Sequence, residues 1–302
     1  MLLQLGGVFL TVIVPVFALV ALGYFAGPPL GLDARTLSRV AYFIFVPAFI
    51  FSLLVGAQLE TTLALRMIVY IVLVHLGLVV LAVLVAKLLG KDSRMTAAFV
   101  VIAVFGNVGN FGLPLVEFRL GSEAMLPAGI YFLSVVLFAF LISVTAAGWQ
   151  RGGVGNALLS VLRTPALLSV VPAVILNSAG ITPPLLVLRI VGLLGQAMIP
   201  VMVLSLGVQL AATKHFRIDT MVVVASGVRL IGGPLLAFIL AALFALEGTA
   251  RSAGIAQASM PTAVLASIIA LEYDLLPDFI TSTVLFSTLA SVVTLTVVLA
   301  LL

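Results

Sequence analysis

Cysteine is absent from this 302-residue chain, so disulfides are excluded and the redox compartment leaves no mark. Charge is scarce, with Asp, Glu, Lys and Arg at 8% together. Histidine occurs only as His75 and His215, and neither a His-x-x-x-His spacing nor a Walker A loop is present. An enzyme site needs clustered acids, bases, nucleophiles or metal ligands. None of these clusters is found, so an enzyme and an ATP-driven pump are both disfavoured. No metal site or cofactor is expected. Acidic residues are missing from the middle of the hydrophobic stretches, Glu117 being the nearest exception. Carboxylate-driven proton antiport therefore lacks its usual group.

What is present is apolar surface. Hydrophobic residues make up 64% of the chain and the mean hydropathy is +1.40. Stretches of about 20 apolar residues, long enough to cross a bilayer, recur near 6–27, 36–57, 65–89, 95–119, 125–149, 165–181, 185–211, 218–246, 251–272 and 278–301. The expected fold is an all-α polytopic membrane protein with about ten transmembrane helices. The first stretch lacks a basic flank and is read as a retained span. The net charge of +4 does not indicate nucleic acid, because the basic residues sit in short loops as orientation signals. One set of loops holds nine of the 14: Arg35, Arg39, Lys87, Lys91, Arg94, Arg151, Arg163, Lys214 and Arg217. The opposite set holds Arg66, Arg119, Arg189 and Arg251, with Arg229 inside a span. This bias places both termini on the non-cytoplasmic side of an inner or plasma membrane.

The two halves, 1–150 and 151–302, echo each other. Pro15 and Pro28-Pro29 match Pro172 and Pro183-Pro184. Pro47, Ser52 and Gly56-Ala57-Gln58-Leu59 match Pro200, Ser205 and Gly207-Val208-Gln209-Leu210, while Arg94 matches Arg251. Five spans per half is an odd number, so the second copy enters the membrane inverted, a plan common among secondary transporters.

Spans four and nine are interrupted, by Phe105-Gly106-Asn107-Val108-Gly109-Asn110-Phe111-Gly112-Leu113-Pro114 and by Gln257-Ala258-Ser259-Met260-Pro261-Thr262. Freed N–H and C=O groups in lipid cost several kcal/mol each, so such breaks survive only where protein or a wet cavity covers them. Gly106, Gly109 and Gly112 leave the backbone open, and Asn107 and Asn110 supply amides. Pro114 and Pro261 suit the first turn of a new half-helix, with Ser259 or Thr262 as capping oxygens. Half-helices starting at the midplane expose N–H groups and positive dipole ends, which favour a carboxylate.

These two stretches also carry a resemblance. Residues 106–115, Gly-Asn-Val-Gly-Asn-Phe-Gly-Leu-Pro-Leu, resemble the fourth-span crossover of the auxin efflux carrier family of plant PIN proteins and bacterial permeases. Ile255 to Pro261, continuing through Ala270-Leu271-Glu272-Tyr273 to Pro277-Asp278, resemble its ninth and tenth spans. The resemblance implies the ten-span fold shared with bile-acid and sodium/proton transporters. Spans 1, 2, 6 and 7 would form a scaffold able to dimerise, and spans 3–5 and 8–10 a moving transport domain with crossed, broken helices. It implies elevator-type export or uptake of small organic anions, mono- or dicarboxylates, with Asn107 at the substrate carboxylate. Asn110 departs from the plant pattern, and the long central loop of the plant proteins is missing.

Buried polar residues complete the candidate set. Arg229 and His75 lie deep in spans eight and three, where an arginine must face the bundle interior, a cavity or backbone carbonyls. Arg229 can lend positive potential to an anion or bind carbonyls freed at a break, and the second role is preferred. Glu117 can bind a cation or proton, or favour the dipole of its own half-helix. Met260, Ser52, Ser205, Gln209 and Tyr131 are further lining candidates. The leading reading is a secondary transporter of a small organic anion. An anion channel or a sodium-coupled symporter is the alternative, with Na+ or H+ as possible coupling ion.

Overall fold

The computed structural model describes residues 2–57, 60–148, 164–212 and 217–302. His215, Lys214, Arg151, Arg163 and the Gln58-Leu59 end of the first repeat lie outside them. Among the described residues twelve helices follow one another: α1 Leu3–Ala26, α2 Ala34–Val55, α3 Thr61–Leu88, α4 Ser93–Val104, α5 Leu113–Leu120, α6 Met125–Gly148, α7 Pro165–Ser178, α8 Leu185–Ala211, α9 Thr220–Leu243, α10 Gly248–Ala258, α11 Val264–Glu272 and α12 Pro277–Leu301. Among the described residues there is no strand, only one isolated antiparallel bridge.

Among the described residues seven stretches are long and apolar enough to cross a bilayer: α1, α2, α3, α8, α9, α12 and Ser122–Ser143, which contains most of α6. The chain is thus a multi-pass, all-helical membrane protein. The regions expected as spans four and nine are each two short helices with a break between them, α4 with α5 and α10 with α11. The region expected as span six holds α7, 14 residues long.

Aspartates start three of the helices. Asp33, Asp92 and Asp219 each accept from the backbone N–H three residues on, at 2.8, 2.8 and 2.9 Å, which satisfies one orphan donor apiece. Prolines shape the interiors. Four wide turns, Phe9–Ile13, Ala41–Phe45, Val108–Gly112 and Val228–Gly232, each end two residues before a proline: Pro15, Pro47, Pro114 and Pro234. A proline removes one N–H and its ring crowds the carbonyl four residues back. Widening the preceding turn relieves that clash without ending the helix, and such bulges often re-aim side chains at working sites.

Helix α8 packs along α1, and α2 packs against α7 and α8. Elsewhere α3 lies on α4 and α6, α9 on α3, α10 and α12, and α11 on α12. Asn177 ties α7 to the end of α2, its side-chain amide donating to the carbonyls of Leu54, Val55 and Ala57 at 3.0, 3.2 and 2.8 Å. The α1–α8 contact is backbone to backbone. A Cβ on Gly207 would stand 2.0 Å from the Val20 carbonyl oxygen and 2.7 Å from the Tyr24 nitrogen. Neither atom can move aside. Gly207→Ala is therefore expected to destabilise the protein by about 1–3 kcal/mol or more, read as a lowered melting midpoint in detergent. Gly192→Ala on the same helix, with nothing within 4 Å of the added carbon, should leave the midpoint unchanged or raise it.

Candidate functional site

The two breaks meet. Extended backbone at Gly106 and Thr262 pairs as the antiparallel bridge. The Asn107 N–H donates to the Pro261 carbonyl at 2.7 Å, and the Ala263 N–H donates to the Phe105 carbonyl at 2.7 Å. Each interrupted segment thus satisfies groups freed in the other, which is what a break inside a membrane requires. Side chains reinforce the junction. Thr262 Oγ1 donates to the Ile102 carbonyl at 3.2 Å, and the Thr262 N–H donates to Ser287 Oγ at 3.2 Å.

Behind the bridge lies Arg229, 1% exposed, in the wide turn of α9. Its Nε donates to the Met260 carbonyl at 2.7 Å and its Nη1 to the Ala103 carbonyl at 2.8 Å. One guanidinium therefore holds both breaks. Gly106 is packed against it: a Cβ there would fall 2.2 Å from Nη2. Among the described residues the one ion pair joins Arg94 to Asp274 near the surface. Among the described residues Arg229 has no carboxylate partner, and its hydrogen bonds go to carbonyl oxygens.

In front of the bridge is a cavity of about 550 Å³, within the size range of small-molecule sites. Asn107, Gly109 and Asn110 line it from the first break, and Ala263, Val264 and Leu265 from the second. The Asn107 side chain is 4% exposed, and its Nδ2 has no hydrogen-bond partner. The N–H groups of Gly109, Asn110, Val264 and Leu265 have no acceptor among the described residues. They are the orphan donors of two helix starts. Helices α2, α6 and α8 close the opposite walls. A second cavity of about 310 Å³ shares Gln209, Val264 and Ile268 with it and carries Asp278.

The other sequence candidates lie behind the bridge or away from it. Gln257 is fully buried, its Nε2 3.4 Å from the Ala128 carbonyl, and its Oε1 fills the place where a Gly112 side chain would stand. Ser259 Oγ donates to the Ile255 carbonyl within α10 at 2.7 Å. Neither Ser259 nor Thr262 caps α11, contrary to the sequence expectation, because each hydroxyl finds a buried carbonyl instead. Pro261 does not open a half-helix either. It sits in the extended break, three residues before α11, and contributes its carbonyl to the bridge. Pro114 and Gly112 are buried behind the first break, and Met260 beneath the second. Among the described residues His75 has no acidic partner: its Nδ1–H donates to the Ile71 carbonyl at 2.7 Å, and its ring lies 6.1 Å from that of Tyr131. Tyr131 is buried outside the cavity lining, Ser52 is half-buried on α2, and Glu117 is exposed on α5. Of the secondary candidates, Ser205 and Gln209 do line the cavity. Missed by the sequence reading were Arg35, Ser38 and Arg39, which also line it. The two arginines signal themselves only by positive charge near a span end, which reads equally as an orientation signal, and Ser38 carries no signal of its own.

Pro261→Ala restores a donor to the break and lets α10 extend toward it. Freedom gained by the unfolded chain costs about 0.4–1 kcal/mol of stability. Turnover is expected to fall more than substrate affinity, measured as exchange rate against binding constant on the same preparation. Wild-type turnover would contradict a working break at this residue.

Two interrupted helices that exchange backbone hydrogen bonds beside a cavity, in a multi-pass membrane protein, match the construction of a membrane transporter. The chain belongs to the membrane transport protein family, the auxin efflux carriers, whose family model matches residues 8–146 and 154–299. It is 31% identical over 290 residues to an uncharacterized transporter of Methanothermobacter thermautotrophicus, covering 94% of this chain and 95% of that one. An uncharacterized transporter of Methanocaldococcus jannaschii is 25% identical over 292 residues, with 92% and 93% covered. A Rhizobium meliloti protein named "Putative malonate transporter" is 27% identical over 200 residues, 64% of this chain and 62% of the relative.

Proposed function

We propose that this transporter is a secondary carrier of small organic anions, with the substrate carboxylate bound at the junction of the two breaks. One observation carries the reading: the residues that own four orphan backbone N–H groups, and Asn107 with its unpartnered amide, line one cavity, with Arg229, which forms no ion pair among the described residues, behind them. Backbone donors at helix starts favour anions, and in low dielectric the buried guanidinium adds to that preference. The malonate named for the Rhizobium meliloti relative supports a carboxylate cargo.

In this reading the two broken pairs complete ten spans arranged as a five-plus-five inverted repeat, with both termini outside the cytoplasm of the inner membrane. The α1, α2, α7 and α8 group is the scaffold, available for a homodimer contact. The remaining helices carry the bridge and move as an elevator. Arg35 and Arg39 belong to the loop set with the basic excess, so the cavity opens toward the cytoplasm.

Proteoliposomes containing the purified protein test the proposal. Uptake of labelled malonate should saturate, and internal malonate should accelerate it. Single-channel conductance without that acceleration would replace the carrier by a pore.

A further inference from the structure

The wall of the cavity opposite the bridge is also polar, and the carrier reading makes no use of it. It combines the first turns of α2 with the last turns of α8. Gln209 Nε2 donates to Ser38 Oγ at 2.8 Å and to Ser205 Oγ at 3.1 Å, and Ser38 Oγ donates to the Ala34 carbonyl at 2.7 Å. The Ser38 proton is therefore committed. The Ser205 hydroxyl, 1% exposed, has Ser38 Oγ at 3.3 Å as an acceptor for its proton among the described residues. Arg35 and Arg39 lie along the same wall, and no acidic residue lines this cavity. Asp33 stands beside Arg35: hydrogen bonds from Thr36, and to a smaller extent the Arg35 charge, hold its carboxyl below the usual carboxylate range. Arg35 is thus partly offset. Arg39 forms no ion pair among the described residues.

We infer that this wall is a second anion subsite, in which Arg39 receives the distal carboxylate of a dianion and Ser205 supplies a hydroxyl donor. The inference rests on the crossover binding the first carboxylate. A dianion held at one pole only would leave its second charge unpaired in a largely apolar cavity, at a cost far above that for a monoanion. A guanidinium at the other pole removes that cost and reverses the preference. Arg39 is five residues into α2, roughly 7.5 Å along the axis from Ala34 at 1.5 Å per residue. Arg39 is exposed and lines the cavity together with Ser38, Tyr42 and Ser205, so a flexible side chain there can turn to a bound ligand as well as to the headgroups. The two poles sit on different packing groups, α2 with α8 on one side and the bridge on the other. A dianion would therefore span the boundary between them.

Calorimetric titration of the purified full-length protein with malonate and with malonamate tests this. The two have nearly the same shape, but malonamate carries one carboxylate and one neutral amide. The wild type should bind malonate at least about tenfold more tightly, the value of one charge-assisted contact. Arg39→Gln should lower malonate affinity about 10–100-fold and malonamate affinity less than about threefold, while Arg39→Lys keeps most of the preference. Equal binding of both ligands by the wild type, or equal weakening of both in Arg39→Gln, would overturn the subsite. Asn107→Ala separates this from the carrier reading. Loss of both ligands supports the crossover as the first pole whatever Arg39 does, and no loss of either removes that pole. An unchanged melting midpoint of Arg39→Gln shows that the ratio, and not folding, is being read.

Discussion

Arg229→Leu is expected to be the most damaging single substitution in this protein, and to act on assembly before binding. The change orphans the Met260 and Ala103 carbonyls, both on fully buried residues. Each unsatisfied carbonyl costs about 1–3 kcal/mol. Removing a buried charge returns part of that, because its desolvation penalty disappears with it. A net loss of about 2–4 kcal/mol remains, a large share of the total stability of a folded chain. Arg229→Lys should recover only part of it, since an ammonium cannot copy a fork that reaches two carbonyls. The measurement is the monodisperse fraction after solubilisation together with the melting midpoint. A well-folded Arg229→Leu that merely binds malonate less tightly would assign Arg229 to the substrate rather than to the bridge.

Asn107→Ala should behave in the opposite way, folding normally and transporting poorly. The Asn107 backbone, not its side chain, holds the bridge, and the Nδ2 has no protein partner to lose. Deleting an unpartnered buried donor costs the empty protein nothing, and can stabilise it. With a carboxylate bound, the same deletion forfeits a hydrogen bond to a charged group, about 1.5–3 kcal/mol, or roughly 10–150-fold in affinity. Exchange flux at sub-saturating malonate reads this loss directly. Unchanged flux would remove Asn107 from the site.

Hydropathy and helix breakers made the membrane class and both breaks legible, because span length and backbone satisfaction are enforced by the lipid itself. Arg229 was legible as an interior group for the same reason: a guanidinium in hydrocarbon has few places to go. The rotation of each helix was not. Ser259 and Thr262 carry hydroxyls suited to capping α11, yet both turn to carbonyls that only the folded neighbours supply. Pro261 and Pro114 looked equivalent in the sequence, but one lies in extended chain and the other in a helix that starts earlier, through a wide turn. Such turns shift the angular register of every residue after them. A 3.6-residue period therefore could not place Ser38 and Arg39 on the cavity wall, or Ser52 off it.

The α1–α8 contact carries a consequence for how the molecule can work. Where main chains touch with no side chain between them, no rotamer is available to absorb displacement. That seam is expected to behave as one stiff rail, so that any shape change is taken up at contacts made by side chains instead.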